Sequence, residues 1–224
     1  MALDDYDDHD AFLTGVILAF IVPTRKRTCG YACPKCIFRL QNQKQSPRDF
    51  AGDQLTPDLI TEMIETFVRE HIDFGSRPLA QLSIQGLNPF YDDLAQECSK
   101  RILAMSCWAP VGFVSSGDGV RECMDVIADA HATAYISIDA GPDKNPVLRP
   151  AVLPNGRPDP SRNSYDVATD ALRALCEVDK QRDRAFAACT VMPKQAGNAL
   201  DLVETFPDDL CEYVPIVFSP YISI

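Results

Sequence analysis

Three cysteines within eight residues, Cys29-Gly-Tyr-Ala-Cys33-Pro-Lys-Cys36, are the side chains best suited to chemistry. The spacing C-x3-C-x2-C lets three thiols on one loop face a common centre, whereas disulfide geometry pairs at most two and leaves a third over. Thiolates this close suit a metal or an iron–sulfur cluster. A four-iron cluster with three protein ligands keeps one iron open for a small molecule. Nine cysteines placed independently along the 224 residues would give this spacing with a chance on the order of one in a hundred. The other six, Cys98, Cys107, Cys123, Cys176, Cys189 and Cys211, are scattered through apolar or helical surroundings. They read as small buried hydrophobes and offer no second ligand loop.

Rival uses of the triplet fit less well. A structural zinc site wants a fourth ligand nearby and paired C-x2-C units, and neither His9, His71 nor His131 stands at zinc-finger spacing from Cys36. The C-x2-C-x2-C-x3-C run of a ferredoxin-like carrier is absent. Cys33-Pro-Lys-Cys36 is also a C-x-x-C, which in an α/β setting reads as a redox switch. A non-enzymatic iron–sulfur or zinc-binding interaction or redox module therefore stands as the alternative to an enzyme.

The elements that must position the loop follow from periodicity. Gly15–Val22 is a continuous apolar run, as expected of a parallel strand covered on both faces, and the cysteine loop follows it directly. Thr56-Pro57-Asp58 opens a helix with a cap, an N1 proline and an acidic first turn, and Leu59, Ile60, Met63, Ile64, Phe67 and Val68 form its apolar stripe. Strands are expected at Ala80–Ile84, Val111–Val114, Thr133–Ile138, Ala185–Val191 and Glu212–Phe218. Helices are expected at Tyr91–Met105, Gly119–Ala130, Tyr165–Val178 and Asn198–Phe206. Trp108 reads as core, and the Asp92-Asp93 and Asp208-Asp209 pairs read as helix-start or solvated carboxylates. Asp139–Asn163, with six prolines, reads as a long cover without helix.

Six strands alternating with helices predict an α/β fold with parallel strands, open and doubly wound or curled into an incomplete (β/α)6 TIM-like barrel, and composition does not choose between the two. In either form the loops after the strands' carboxyl ends build the site, and the cysteine loop is the first of them. One domain over 1–224 is expected, with residues 1–12 as an acidic lead-in. The net charge of -11 argues against a surface that neutralises phosphates, and Arg25-Lys26-Arg27 is too short to reverse that, so nucleic acid is not expected. Ala11–Pro23 follows aspartates where a secretory signal has basic residues and is too short to span a bilayer. With thiols in place of disulfides, a cytoplasmic location is expected.

With these residues in place, the loop after the first of six strands resembles that of the radical S-adenosylmethionine (radical SAM) enzymes, whose signature is C-x3-C-x2-C. The resemblance spans nearly the whole chain. Gly86-Leu87-Asn88-Pro89 is similar to the family's Gly-Gly-Glu-Pro turn, which meets the methionyl amine of the cofactor. Ser115-Ser116-Gly117, Ser137-Ile138-Asp139-Ala140-Gly141, Arg162-Asn163 and Asn198 resemble its strand-three, strand-four, helix-four and strand-five positions. Two positions depart from the pattern. Asn88 replaces a glutamate, keeping a carbonyl acceptor without its charge. Lys35 stands where an aromatic residue usually packs on the adenine, a place Tyr31 or Phe38 would have to fill.

The resemblance implies the incomplete (β/α)6 TIM-like barrel and a [4Fe-4S] cluster on Cys29, Cys33 and Cys36. It implies S-adenosylmethionine contacts at Gly86, Asn88, Pro89, Ser115, Ser116, Asp139 and Arg162. It further implies reductive cleavage of that cofactor to a 5′-deoxyadenosyl radical, an electron donor such as a flavodoxin or ferredoxin, and a small-molecule or protein substrate. No residue is marked as the one acting on that substrate.

Overall fold

A computed structural model describes residues 16–22, 24, 29–34, 36, 56–70, 79–86, 88–153, 155–179, 181–191 and 196–220. The expectations placed on the acidic lead-in, His9, Arg25, Lys26, Arg27, Lys35, Phe38, His71 and Leu87 lie outside the described residues. Six strands, β1 (Val16–Val22), β2 (Leu79–Gly86), β3 (Val111–Ser115), β4 (Thr133–Ser137), β5 (Ala185–Val191) and β6 (Ile216–Pro220), form one sheet in sequential order. Every neighbouring pair is parallel. A doubly wound sheet reverses its strand order at a switch point. This one does not reverse, so it is the incomplete (β/α)6 barrel, with β1 and β6 as its two edges.

The helices among the described residues are α1 (Pro57–Glu70), α2 (Asp93–Leu103), α3 (Met124–Asp129), α4 (Asn145–Leu148), α5 (Ser164–Glu177), α6 (Ala196–Thr205) and α7 (Asp208–Cys211). Their starts are locally encoded. Thr56 Oγ1 accepts from Leu59 N at 3.2 Å, Asp92 Oδ1 from Ala95 N at 3.0 Å, and Asn163 Oδ1 from Tyr165 N at 2.8 Å. Asp92 is thus a cap, as its position in sequence suggests. Asp209 pairs with Arg173 at 2.7 Å on the surface.

Register separates the two faces of the sheet. Phe20, Ile84, Phe113, Ala134 and Ala185 stand side by side on the helix-covered face, and all are buried. Helix residues Ile60, Ile64, Cys98, Ile102, Leu172 and Leu175 join them in one core, where Phe90 meets Phe113 edge to face at 5.0 Å. The opposite row, Val114, Tyr135 and Phe186, lines the concave side, with the last two rings stacked at 5.3 Å.

Several expectations shift. Gly15–Val22 reads as doubly covered, yet Ile17 and Ile21 are 56% and 60% exposed, because they face the open concave side. Trp108 is 53% exposed: its N–H donates to Met105 O in the turn after α2, and Ala109 beside it is the buried residue. Leu59 and Met63 lie on the outer flank of α1, while Ile60 and Ile64 are fully buried. Cys107 and Cys211 are exposed, whereas Cys98, Cys123 and Cys189 are buried. The expected strand Glu212–Phe218 begins only at Ile216, since Tyr213 and Val214 still donate to Leu210 O and continue the α7 turn. The helix expected from Gly119 begins as a 3-10 turn at Arg121–Cys123 and becomes α-helical at Met124. Asp139–Asn163 contains the one-turn helix α4, with Pro146 tolerated in its first turn.

Candidate active site at the strand ends

The cysteine loop is bound to a segment more than a hundred residues later. Tyr31 and Ala151 form an antiparallel bridge, Ala32 N donates to Pro150 O and Val152 N to Gly30 O, both at 2.9 Å. Cys36 N donates to Cys33 O at 3.2 Å, which turns the loop back. Cys29, Tyr31, Cys33 and Ala151 consequently pack as a small buried cluster apart from the main core, with Cys36 half-buried against it. The structure therefore gathers all three cysteines singled out by spacing.

Burial pushes the Cys29 thiol up to about 11, with Cys33 and Cys36 adding to it, and burial likewise raises Cys33. Both shifts favour the neutral thiol, so Cys29 and Cys33 carry protons at neutral pH until a metal cation displaces them. Among the described residues no three His, Cys, Asp or Glu side chains converge on a single metal ion. Three thiolates on one cluster bind three different irons, so such a group needs no common ligation point. The donor set, all sulfur and enclosed, fits an iron–sulfur cluster.

Arginine supplies the countercharge. Arg149, at the end of α4, reaches Asp139 Oδ2 at 3.2 Å, and both side chains are largely buried, at 15% and 1% exposure. Burial works against the Arg149 charge, but Cys33, Asp139 and Cys29 outweigh it and hold the guanidinium protonated. Asp139 Oδ1 also accepts from Thr190 N at 3.0 Å, and the Asp139 N–H donates to Asn145 Oδ1 at 2.8 Å. These contacts lock the end of β4 to β5 and α4. Arg162 pairs with Asp118 and lies over the rings of Tyr31 and Tyr91, 4.9 and 5.9 Å from their centroids.

Gly86 ends β2 at φ +128°, where an added Cβ would stand 2.9 Å from Val22 O, so the turn leaving β2 runs close against the end of β1. Asn88 just beyond is fully buried and knits strand ends together. Its Nδ2 donates to Ser116 Oγ at 2.7 Å and to Asp118 Oδ2 at 3.2 Å, while its Oδ1 accepts from Ser115 Oγ at 3.1 Å. Pro89 O accepts from Ser99 Oγ at 2.6 Å. Gly86, Asn88, Pro89, Ser115, Ser116 and, through Asp118, Arg162 thus form one connected rim. Asn198 is half-buried on α6, which is tied to the β4 loop through Asp201, the acceptor of Gly141 N and Lys144 Nζ.

Tyr31 occupies a different place from the one its aromatic ring suggests. It is 5% exposed and stacked by Arg162 and Arg149, leaving no open face for an adenine. Sequence reasoning also missed Arg149 and Asp118, which carry no motif. Arg149 is one of four basic residues in the proline-rich loop after β4, with Lys144, Arg157 and Arg162, and its sequence setting does not distinguish it.

Gly30 shows how tightly the loop is seated. At φ +75° it lies so close to Arg162 and Tyr91 that an added Cβ would sit 2.7 Å from an atom of each. Gly30→Ala should both strain the backbone and displace the Arg162 stack, at a cost of about 1–3 kcal/mol. Thermal unfolding should report a lowered Tm. An unchanged Tm would refute this seating of the loop.

No protein-family model and no curated protein matches the sequence. Solved structures do match. SuiB of Streptococcus suis bound to S-adenosylmethionine superposes with a TM-score of 0.59 at 10% identity, over 94% of this chain and 41% of that one. The enzyme anSMEcpe with bound AdoMet gives 0.57 at 11% identity, over 91% and 51%. Its complex with AdoMet and the Cp18Cys peptide gives 0.58 at 9% identity, over 91% and 51%. These are radical SAM enzymes, and the chain has their fold. It spans about half the length of the structures it matches.

Proposed function

We propose that this chain is a radical SAM enzyme in which Cys29, Cys33 and Cys36 hold a [4Fe-4S] cluster that binds S-adenosylmethionine at its open iron. The observation that carries this reading is the packing of the three thiols into one buried cluster after β1 of this fold. When bound, the cluster supplies the electron that cleaves the cofactor's sulfonium C–S bond, giving methionine and a 5′-deoxyadenosyl radical that abstracts hydrogen from a substrate.

The chain's own residues hold, neutralise and exclude water. Arg149 offsets the negative charge that three thiolates bring to a low-dielectric site. The turn from Gly86 through Asn88 to Pro89 meets the cofactor's methionyl end. Asn88 acts by fixing that turn to Ser115 and Ser116, since its own amide is occupied by them. Asp139 and Arg162 orient the site through their ion pairs, and Asn198 lies near the cofactor from α6. A flavodoxin- or ferredoxin-type donor supplies the electron in a reducing, cytoplasm-like compartment. No helix among the described residues is long and apolar enough to cross a membrane. The substrate is a small molecule or a polypeptide, and the peptide held by one structural neighbour favours the latter.

The test is anaerobic reconstitution with iron and sulfide, followed by dithionite and S-adenosylmethionine. Iron and sulfide near four per chain, with 5′-deoxyadenosine released, is the expected result. Bound zinc, or a cluster without cofactor cleavage, would establish the interaction or redox module instead.

A further inference from the structure

Resting on that reading, we propose that the Tyr31 hydroxyl donates a hydrogen bond to a sulfur of the cluster held by Cys29, Cys33 and Cys36, and thereby raises its reduction potential. The Tyr31 hydroxyl is buried and has no hydrogen-bond partner among the described residues. A buried phenol without an acceptor is unfavourable. Its backbone is nevertheless fixed in place by the bridge to Ala151 and the bond from Ala32 N to Pro150 O.

What surrounds the ring narrows the acceptor. Cys29, Cys33 and Ala151 pack against it. The two cations over it, Arg149 at 5.8 Å and Arg162 at 4.9 Å, are guanidiniums, which donate and never accept. The carboxylates those arginines hold are engaged elsewhere: Asp139 by Arg149 and Thr190 N, Asp118 by Arg162, Asn88 and Ser116. Among the described side chains around the ring, the acceptor that fits is sulfur of the cluster that Cys29 and Cys33 would hold. A hydrogen bond to cluster sulfur favours the more negative, reduced state, which is why it raises the potential.

The experiment compares anaerobically reconstituted wild type with Tyr31→Phe, which keeps the ring and both arginine stacks. Redox titration followed by electron paramagnetic resonance should give equal iron per chain and a midpoint potential shifted to more negative values in Tyr31→Phe. Fully loaded Tyr31→Phe with the wild-type potential would overturn the proposal while leaving the proposed function standing. A wild type that takes up no iron would overturn both. If Tyr31→Phe loads poorly, 3-fluorotyrosine at position 31 keeps the hydroxyl and strengthens it as a donor. The potential should then move to more positive values, and an unmoved potential counts against the proposal.

Discussion

Cys33→Ala is expected to abolish iron retention and 5′-deoxyadenosine formation together. Cys33 is central to the loop: it is buried, its carbonyl accepts from Cys36 N, and its thiol is the one the Arg149 charge opposes most directly. Losing it leaves two thiols of three. The effect should greatly exceed the ~10–100-fold loss that removal of an outer-shell partner causes. Cys98→Ala is the control, since that thiol lies in the helix-packed core far along the chain and should leave iron content unchanged. Iron and sulfide assays on both variants decide the matter: full loading of Cys33→Ala would sink the ligand assignment.

Arg149→Leu should be the most damaging substitution outside the cysteines. It takes the Arg149 guanidinium away from a carboxylate that is 1% exposed and also accepts from Thr190 N. Breaking a buried pair from one side costs about 3–5 kcal/mol. It also strips the loop of the cation over Tyr31 and beside Cys33. Urea denaturation should show a lower midpoint with an unchanged m-value, and adding Asp139→Asn should restore part of the loss. Wild-type stability in Arg149→Leu would mean that the pair does not hold the β4 end.

Much of the fold was legible because its cues are local. Strand positions followed apolar runs, and the starts of α1, α2 and α5 followed Thr56, Asp92 and Asn163, whose side chains cap the chain next to them. Three errors of burial share a cause: Ile17, Ile21 and Trp108 are apolar residues whose exposure depends on whether a distant element covers them. Within the site, Cys29, Cys33 and Cys36 were legible as a group that packs together because their spacing is itself local. Arg149, Asp118 and the true setting of Tyr31 were not, because each is defined by contacts between segments far apart in sequence.

The bridge between Tyr31 and Ala151 also orders events during biosynthesis. The three thiols are made more than a hundred residues before the Arg149–Val152 segment that packs over their loop. At about 5–20 residues per second, the loop waits on the order of ten seconds without its cover. Contacts of such sequence separation also form slowly. On the proposed reading a cluster would be enclosed only after the Arg149–Val152 segment has emerged, and throughout that interval the nascent cysteines are open to oxidation and to capture by the wrong ion.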